Sequence, residues 1–191
     1  MYTTENRQKM EASEASHIVR RLQQDGLYQL PKFLRQYKEG NIVISGSYTL
    51  ELDPADDWKP NDIDLWIPFS DRQQYYLFRL LRLMIESGYS SITTRNRYQG
   101  QIAPNAAYRR MDYMIETIYS LRDPVAPRTR VQILLLQKSG GTSGPDLINH
   151  FDLNLSRQYY DGTSLYRPIT VSGAILNKYI TLNVGSHVIC M

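Results

Sequence analysis

Val43-Ile44-Ser45-Gly46-Ser47, then fourteen residues, then Asp62-Ile63-Asp64-Leu65-Trp66-Ile67: the reading of this 191-residue chain turns on that stretch. Residues 41–45, Asn-Ile-Val-Ile-Ser, read as a buried strand stopped by Gly46-Ser47. Asp62–Ile67 alternates acid and apolar and reads as a second strand. Aspartates at i and i+2 on a strand project to the same side. Acids are depleted in strands, so two in an otherwise apolar run require a reason. Paired on one face, the carboxylates of Asp62 and Asp64 can share a divalent cation, and hard oxygen ligands suit Mg²⁺ or Mn²⁺. A Gly-Ser turn that opens a helix offers backbone N–H groups and a hydroxyl to an anion. Ser47 would serve equally as an ordinary helix N-cap there. The expected site is therefore a turn that holds phosphate beside a strand that holds a metal.

Outward from this pair, residues 5–24 are expected to be helical, with Ile18, Val19 and Leu22 on one face and Gly26 as the stop. Pro31 suits a first helical position, and Gly40 ends that segment. Residues 48–61 hold Pro54, Asp56, Asp57 and Pro60, so only their start can be a short helix. The clearest helix is expected over residues 71–87, with Tyr75, Leu77, Phe78, Leu81, Met84 and Ile85 as its apolar face. Beyond Gly88 the chain reads as β-rich: Ser90–Tyr98, Met111–Leu121, Arg130–Gln137 and Phe151–Ser156. Residues 139–144 read as a flexible loop, Pro145–Asn149 as one helical turn, Asp161-Gly162 as a turn and Ser172–Tyr179 as a last short helix. No repeat, low-complexity tract or composition shift divides the chain. The expectation is one α/β (α+β) domain over 1–191: a mixed β-sheet with helices mainly on one face. Its parts are N-terminal helices over 1–40, a core over 41–162 and a short extension over 163–191.

Composition narrows the classes. The chain is 42% apolar and 21% charged, too apolar for a disordered protein. No apolar run approaches the ~18 residues of a membrane-spanning helix. The polar, acid-containing start does not resemble a signal or transit peptide. Cys190 is the only cysteine, so neither an intrachain disulfide nor a Cys-rich zinc site can form, and a reducing cytoplasmic or nuclear setting is expected. His17, His150 and His187 are too scattered for a His-based zinc site. The formal charge is +3, unevenly spread: residues 41–70 carry one basic and six acidic side chains, residues 71–130 ten arginines and five acids. Arginine matches phosphate well, but charge of this size is first a solvated surface. Arg95, Arg97, Arg109 and Arg110, flanking expected strands, fall under the same reading. Trp58 and the 15 tyrosines fit packing and strand surfaces before base stacking.

The constellation Gly46-Ser47 followed by Asp62-Ile63-Asp64-Leu65 resembles the nucleotidyltransferase superfamily that includes DNA polymerase β, poly(A) polymerases, CCA-adding enzymes and small MNT-type antitoxins. Asn61-Asp62-Ile63-Asp64-Leu65 is similar to the Ser-Asp-Ile-Asp-Leu of many members. The family adds a third carboxylate on a later strand, and the resemblance places it at Asp152 in Phe151-Asp152-Leu153. That tripeptide, with Tyr159-Tyr160-Asp161-Gly162, resembles divergent members from large DNA viruses, phages and fungi, which would make the chain virus-encoded or related. The resemblance covers about residues 30–162. It implies nucleotide binding at Gly46 and Ser47, two Mg²⁺ (or Mn²⁺) ions on Asp62, Asp64 and Asp152, and transfer of a nucleotidyl group from an NTP such as ATP. The acceptor would be a hydroxyl of RNA, protein or a small molecule. Many members carry an arginine soon after the Gly-Ser, whereas here Lys59 is the only cation in that loop, and the larger members' helical domain is absent or reduced to 163–191. Those departures keep two alternatives open: a catalytically inactive fold of this type used as a structural or binding module, such as one in a viral particle, and a nucleic-acid-binding domain using Arg and Tyr. His150 is expected to be structural.

Overall fold

The computed structural model of the protein describes residues 7–10, 15–50, 60–97, 114–138, 148, 157–168, 181–184 and 187–190. It is an α+β fold built on a mixed sheet. The strands are β1 (Arg7–Met10), β2 (Val43–Ser45), β3 (Asp62–Ile67), β4 (Ser91–Asn96), β5 (Ile115–Arg122), β6 (Arg130–Leu136), β7 (Tyr159–Tyr160) and β8 (Leu165–Pro168), ordered β1-β8-β7-β2-β3-β6-β5-β4. Only β3 and β6 run parallel; every other neighbouring pair is antiparallel. A parallel pair needs a long crossover. Here α3 (Gln73–Glu86) and the β4–β5 hairpin supply it. Strands β9 (Thr181–Val184) and β10 (His187–Cys190) form a separate antiparallel hairpin.

The main core lies between one sheet face and three helices, α1 (Ser16–Gln24), α2 (Leu30–Gln36) and α3. Ile63, Leu65 and Ile67 of β3 and Val131, Ile133 and Leu135 of β6 all point to that face and are buried. Ile18 and Leu22 of α1 and Leu30, Phe33 and Leu34 of α2 meet them. Each fully buried aliphatic side chain of this kind contributes about 1.5–3 kcal/mol. The opposite face carries a smaller cluster of Val43, Trp66, Ile118, Leu134, Leu136 and Ile148. Strand alternation thus sends Asp62 and Asp64 to the face away from the helices, in line with Trp66.

Several expectations need correction. Residues 7–10 form a strand rather than the start of a helix. Their partner is β8, some 155 positions further along the chain (Met10 opposite Leu165), a pairing that local sequence does not encode. The apolar face of α3 is rotated from the expected one. Leu77 and Met84 are buried as expected and Leu81 packs partly against the core, but Tyr76 and Leu80 complete the face while Tyr75, Phe78 and Ile85 are exposed. Gln73 fixes that rotation: its buried side-chain amide donates to the carbonyls of Ile67 (3.2 Å) and Leu136 (2.8 Å). Part of the expected 163–191 extension belongs to the main sheet as β8. Pro31 lies in the first turn of α2, one position after its start at Leu30, and Asp161-Gly162 does form the β7–β8 turn, where Asp161 Oδ1 accepts the Thr163 and Ser164 N–H groups at 2.8 Å. The expected strand 151–156, helix 172–179 and most of 139–149 lie outside the described residues.

Asp25, at the end of α1, ties the helices to the sheet end. Its Oδ2 accepts the Tyr48 hydroxyl (2.9 Å), its Oδ1 accepts the Thr129 N–H (3.0 Å), and its carbonyl accepts the Tyr89 hydroxyl (3.0 Å). Burial, then the Asp25 charge, hold the Tyr48 phenol well above its ordinary range. Asp25→Ala leaves a buried hydroxyl and a backbone N–H without acceptors, a loss of about 2–3 kcal/mol in urea denaturation. Asp25→Asn should recover most of that loss, because the Tyr48 hydroxyl can turn to accept from the new amide. A variant as unstable as the alanine one would show that charge, not hydrogen bonding, matters here.

Candidate active site

β3 holds Asp62 and Asp64 between two neighbours that differ in character. On one side β2 pairs Ser45 with Asp64. The Ser45 hydroxyl is buried and donates to the Gln158 carbonyl at 2.7 Å, fastening β2 to the start of β7. The chain then turns at Gly46, whose φ of 84° and ψ of −159° lie in a region that only glycine occupies readily. A Cβ added there would stand 3.1 Å from Asp64 Oδ2. The Gly46 backbone and the Asp64 carboxylate are therefore in direct apposition, as the spacing of the two motifs implies.

Ser47 departs from its expected role. It lies inside a single 3₁₀ turn, Ser47–Thr49, and that turn carries no side-chain cap. Gly46 is the capping residue, and its carbonyl accepts the Thr49 hydroxyl at 2.7 Å and the Thr49 N–H at 3.1 Å. One turn aligns too few peptide dipoles to act as the helix terminus expected to hold an anion. Ser47 remains half-buried one residue beyond the Gly46 bend.

On the other side, β6 sets Arg130 opposite Asp62 and Gln132 opposite Asp64. Arg130 Nη2 donates to Asp62 Oδ2 at 2.7 Å, and Gln132 Nε2 donates to the same oxygen at 2.5 Å. Both bonds fall on Oδ2. The Arg130 Nε is also buried and has no hydrogen-bond partner among the described residues. Arg130 and Gln132 are not among the residues that the sequence motifs bring to the site. Their signal is two polar side chains at alternate positions opening an apolar strand, but only the parallel β3–β6 register places them on Asp62.

The two carboxylates sit in unlike environments. Asp62 has a guanidinium and an amide on one oxygen. Asp64, with no such donor among the described residues, has its carboxyl pushed up to about 8, first by burial and then by the Asp62 charge, with Arg130 partly opposing. A buried acid pushed up beside a second acid is a candidate for holding a cation or handling a proton.

A metal needs more than this pair. Among the described residues no group of three or more His, Cys, Asp or Glu side chains is placed to hold one. Asp62 and Asp64 have the right donor chemistry for Mg²⁺ or Mn²⁺ and fit as part of such a site. Asp152, the expected third ligand, lies outside the described residues, as do His150, Trp58, Lys59, Arg109 and Arg110. Arg95 is exposed on the edge strand β4, and Arg97 follows that strand, half-buried. No described helix is long and apolar enough to cross a membrane. No protein-family model, curated protein or solved structure matches the chain.

Proposed function

We propose that the protein catalyses metal-dependent nucleotidyl transfer from an NTP to a hydroxyl acceptor. One observation carries the reading: Gly46, in its glycine-only conformation, lies against Asp64, and Asp64 shares a strand face with Asp62. A phosphate-bearing ligand can approach closely over a residue without a side chain. Asp62 and Asp64, with Asp152 as the third candidate, would hold Mg²⁺ or Mn²⁺. When bound, the metal would neutralise charge on the phosphates and on the entering and leaving oxygens of an in-line displacement. Gly46 and Ser47 would contact the nucleotide's phosphates, with pyrophosphate as the leaving group. Asp64 must lose its proton for the cation to bind, so occupancy should rise with pH through the neutral range.

A second reading rests on the Asp62 contacts. Arg130 already neutralises Asp62 from within the fold, which is what a catalytically inactive binding or structural module would require. Thermal unfolding with each NTP, with and without Mg²⁺ or Mn²⁺, separates the two. The transferase reading expects stabilisation that needs both metal and one NTP, about 2.7 kcal/mol at a hundred times the Kd. Asp62→Ala should abolish it without unfolding the protein, and should abolish pyrophosphate release. Stabilisation that persists in Asp62→Ala, or that never occurs under any combination, favours the binding module.

A further inference from the structure

The other side of the molecule carries a second surface with its own chemistry. Between α2 and α3, on the helical layer and so across the sheet from Asp62 and Asp64, lies an open groove of about 440 Å³. Its floor holds Phe33 and Tyr37, and its rim holds Tyr28, Lys32, Arg79 and Arg82. The rim cations outnumber the single groove acid, Glu86, which Arg82 already holds at 2.7 Å.

A chain of ring contacts leads from this groove to Tyr75 on the outer face of α3. Phe33 and Tyr37 have ring centroids 4.7 Å apart, and Tyr37 meets Tyr75 edge-on at 6.0 Å. Tyr75 is 51% exposed, and Phe78 beside it on α3 is 65% exposed. Arg79 Nε donates to the Tyr37 hydroxyl at 3.0 Å, which fixes a guanidinium at the edge of the aromatic floor. Helix α3 has 14 residues, about 21 Å of length, longer than one nucleotide needs. Exposed rings interleaved with arginine and lysine along an open path are the combination that binds single-stranded nucleic acid. Bases stack on the rings, and cations follow the phosphates. A protein partner would be served by the apolar side chains but not by the excess of cations.

We propose that the α2–α3 groove and the exposed stripe of α3 beside it bind single-stranded nucleic acid, with Tyr75 and Phe78 on the stripe as stacking platforms and Lys32, Arg79 and Arg82 of the groove as phosphate contacts. This surface is independent of the proposed transferase site. The test is fluorescence anisotropy of the full chain with labelled twelve-nucleotide oligo-dT and oligo-U across a salt series. Two unpaired cations and one shared with Glu86 predict a log–log salt slope between about −1.4 and −2. Tyr75→Ala and Phe78→Ala should each weaken binding roughly tenfold. The pair Lys32→Glu with Arg82→Glu, both at exposed positions, should weaken it at least as much and flatten the slope. Asp62→Asn should leave it unchanged even where it removes metal-linked effects, so the two sites fail separately. Absence of saturable binding, binding indifferent to the groove variants, or equal loss in Asp62→Asn would each overturn the proposal. So would sedimentation showing a dimer that dissociates in Tyr75→Ala while the oligonucleotides do not bind, which would assign the face to self-association.

Discussion

Asp64→Asn should make the metal-free protein more stable than wild type, by about 3 kcal/mol more at pH 8 than at pH 5.5. The Asp64 carboxyl titrates near 8 in the folded protein and near 3.9 in an unfolded chain. Between those values the native state holds a proton that the unfolded state has lost. Stability then falls as pH rises, by up to about 1.4 kcal/mol per unit, and levels off above the folded pKa. From pH 5.5 to 8 the accumulated loss is about 3 kcal/mol. Asparagine resembles the protonated carboxyl and does not titrate, so that slope should vanish from its urea-denaturation series. The wild type in saturating Mg²⁺ should also lose the slope, because the cation binds the ionised form and stabilises the native state most where Asp64 is deprotonated. The Asn variant should not respond to Mg²⁺. Equal slopes in the two proteins would show that Asp64 is ionised throughout and that burial is relieved by solvent.

That behaviour arises from the part of the molecule that sequence describes best. The β2 and β3 strands, the Gly46 bend and the common face of Asp62 and Asp64 come from alternation and from residue types that have few other uses. The alternation of β3 is clear because Ile63, Leu65 and Ile67 face the helical layer, whereas the two acids, with Trp66, face away from it. What sequence does not show are the neighbours. Arg130 reaches Asp62 through a parallel pairing across 68 positions, and Gln132 arrives by the same register. Pairing register is a non-local choice, and a strand carries no local mark of its partner. Ser47 illustrates a different limit. A Ser after a Gly fits an N-cap, a short 3₁₀ turn or a loop, and the path of the chain beyond Thr49 decides among them.

Helix α3 shows how composition can mislead within a correct element. Its sequence is apolar on most of its circumference, so periodicity alone allows a face containing Tyr75, Phe78 and Ile85. Gln73, buried although polar, sets the rotation by donating to two carbonyls, on Ile67 and Leu136. Leaving those acceptors unmet would cost more than exposing part of three apolar side chains. The exposed rings are the surplus that forms the outer stripe of α3. Asp152 and the rest of 151–156 lie outside the described residues, so the resemblance that singles them out rests on sequence.

Gly162→Ala should be the most damaging small substitution in the described fold, lowering stability by about 3 kcal/mol or more. Gly162 has a φ of 94°, so any Cβ there strains the backbone. Space is the harder constraint. The added carbon would lie 2.6 Å from Leu34 Cβ, 2.8 Å from the Pro31 carbonyl oxygen and 3.1 Å from the Arg35 nitrogen. Two of those are backbone atoms of α2 and the third is the root of a buried side chain, so none can swing away as a flexible chain end would. Overpacking of this kind costs about 1–3 kcal/mol and the conformation a comparable amount. The Gly162 carbonyl is also an anchor, accepting Arg35 Nη1 at 2.7 Å and the Tyr160 hydroxyl at 2.9 Å. Pushing the turn off α2 therefore loosens β7 and β8 together, and β8 is the partner on which β1 is hydrogen-bonded. In a chain of this size the melting temperature should fall by roughly 6–12 °C. Thr163→Ala, at the exposed next position of the same turn, should change it little. Hydrogen exchange should show protection lost first in β7 and β8, with β3 and β6 retaining theirs until global unfolding. A Gly162→Ala protein as stable as wild type would mean that α2 can move away from the sheet edge, and that the close approach is not what holds the helical layer in place.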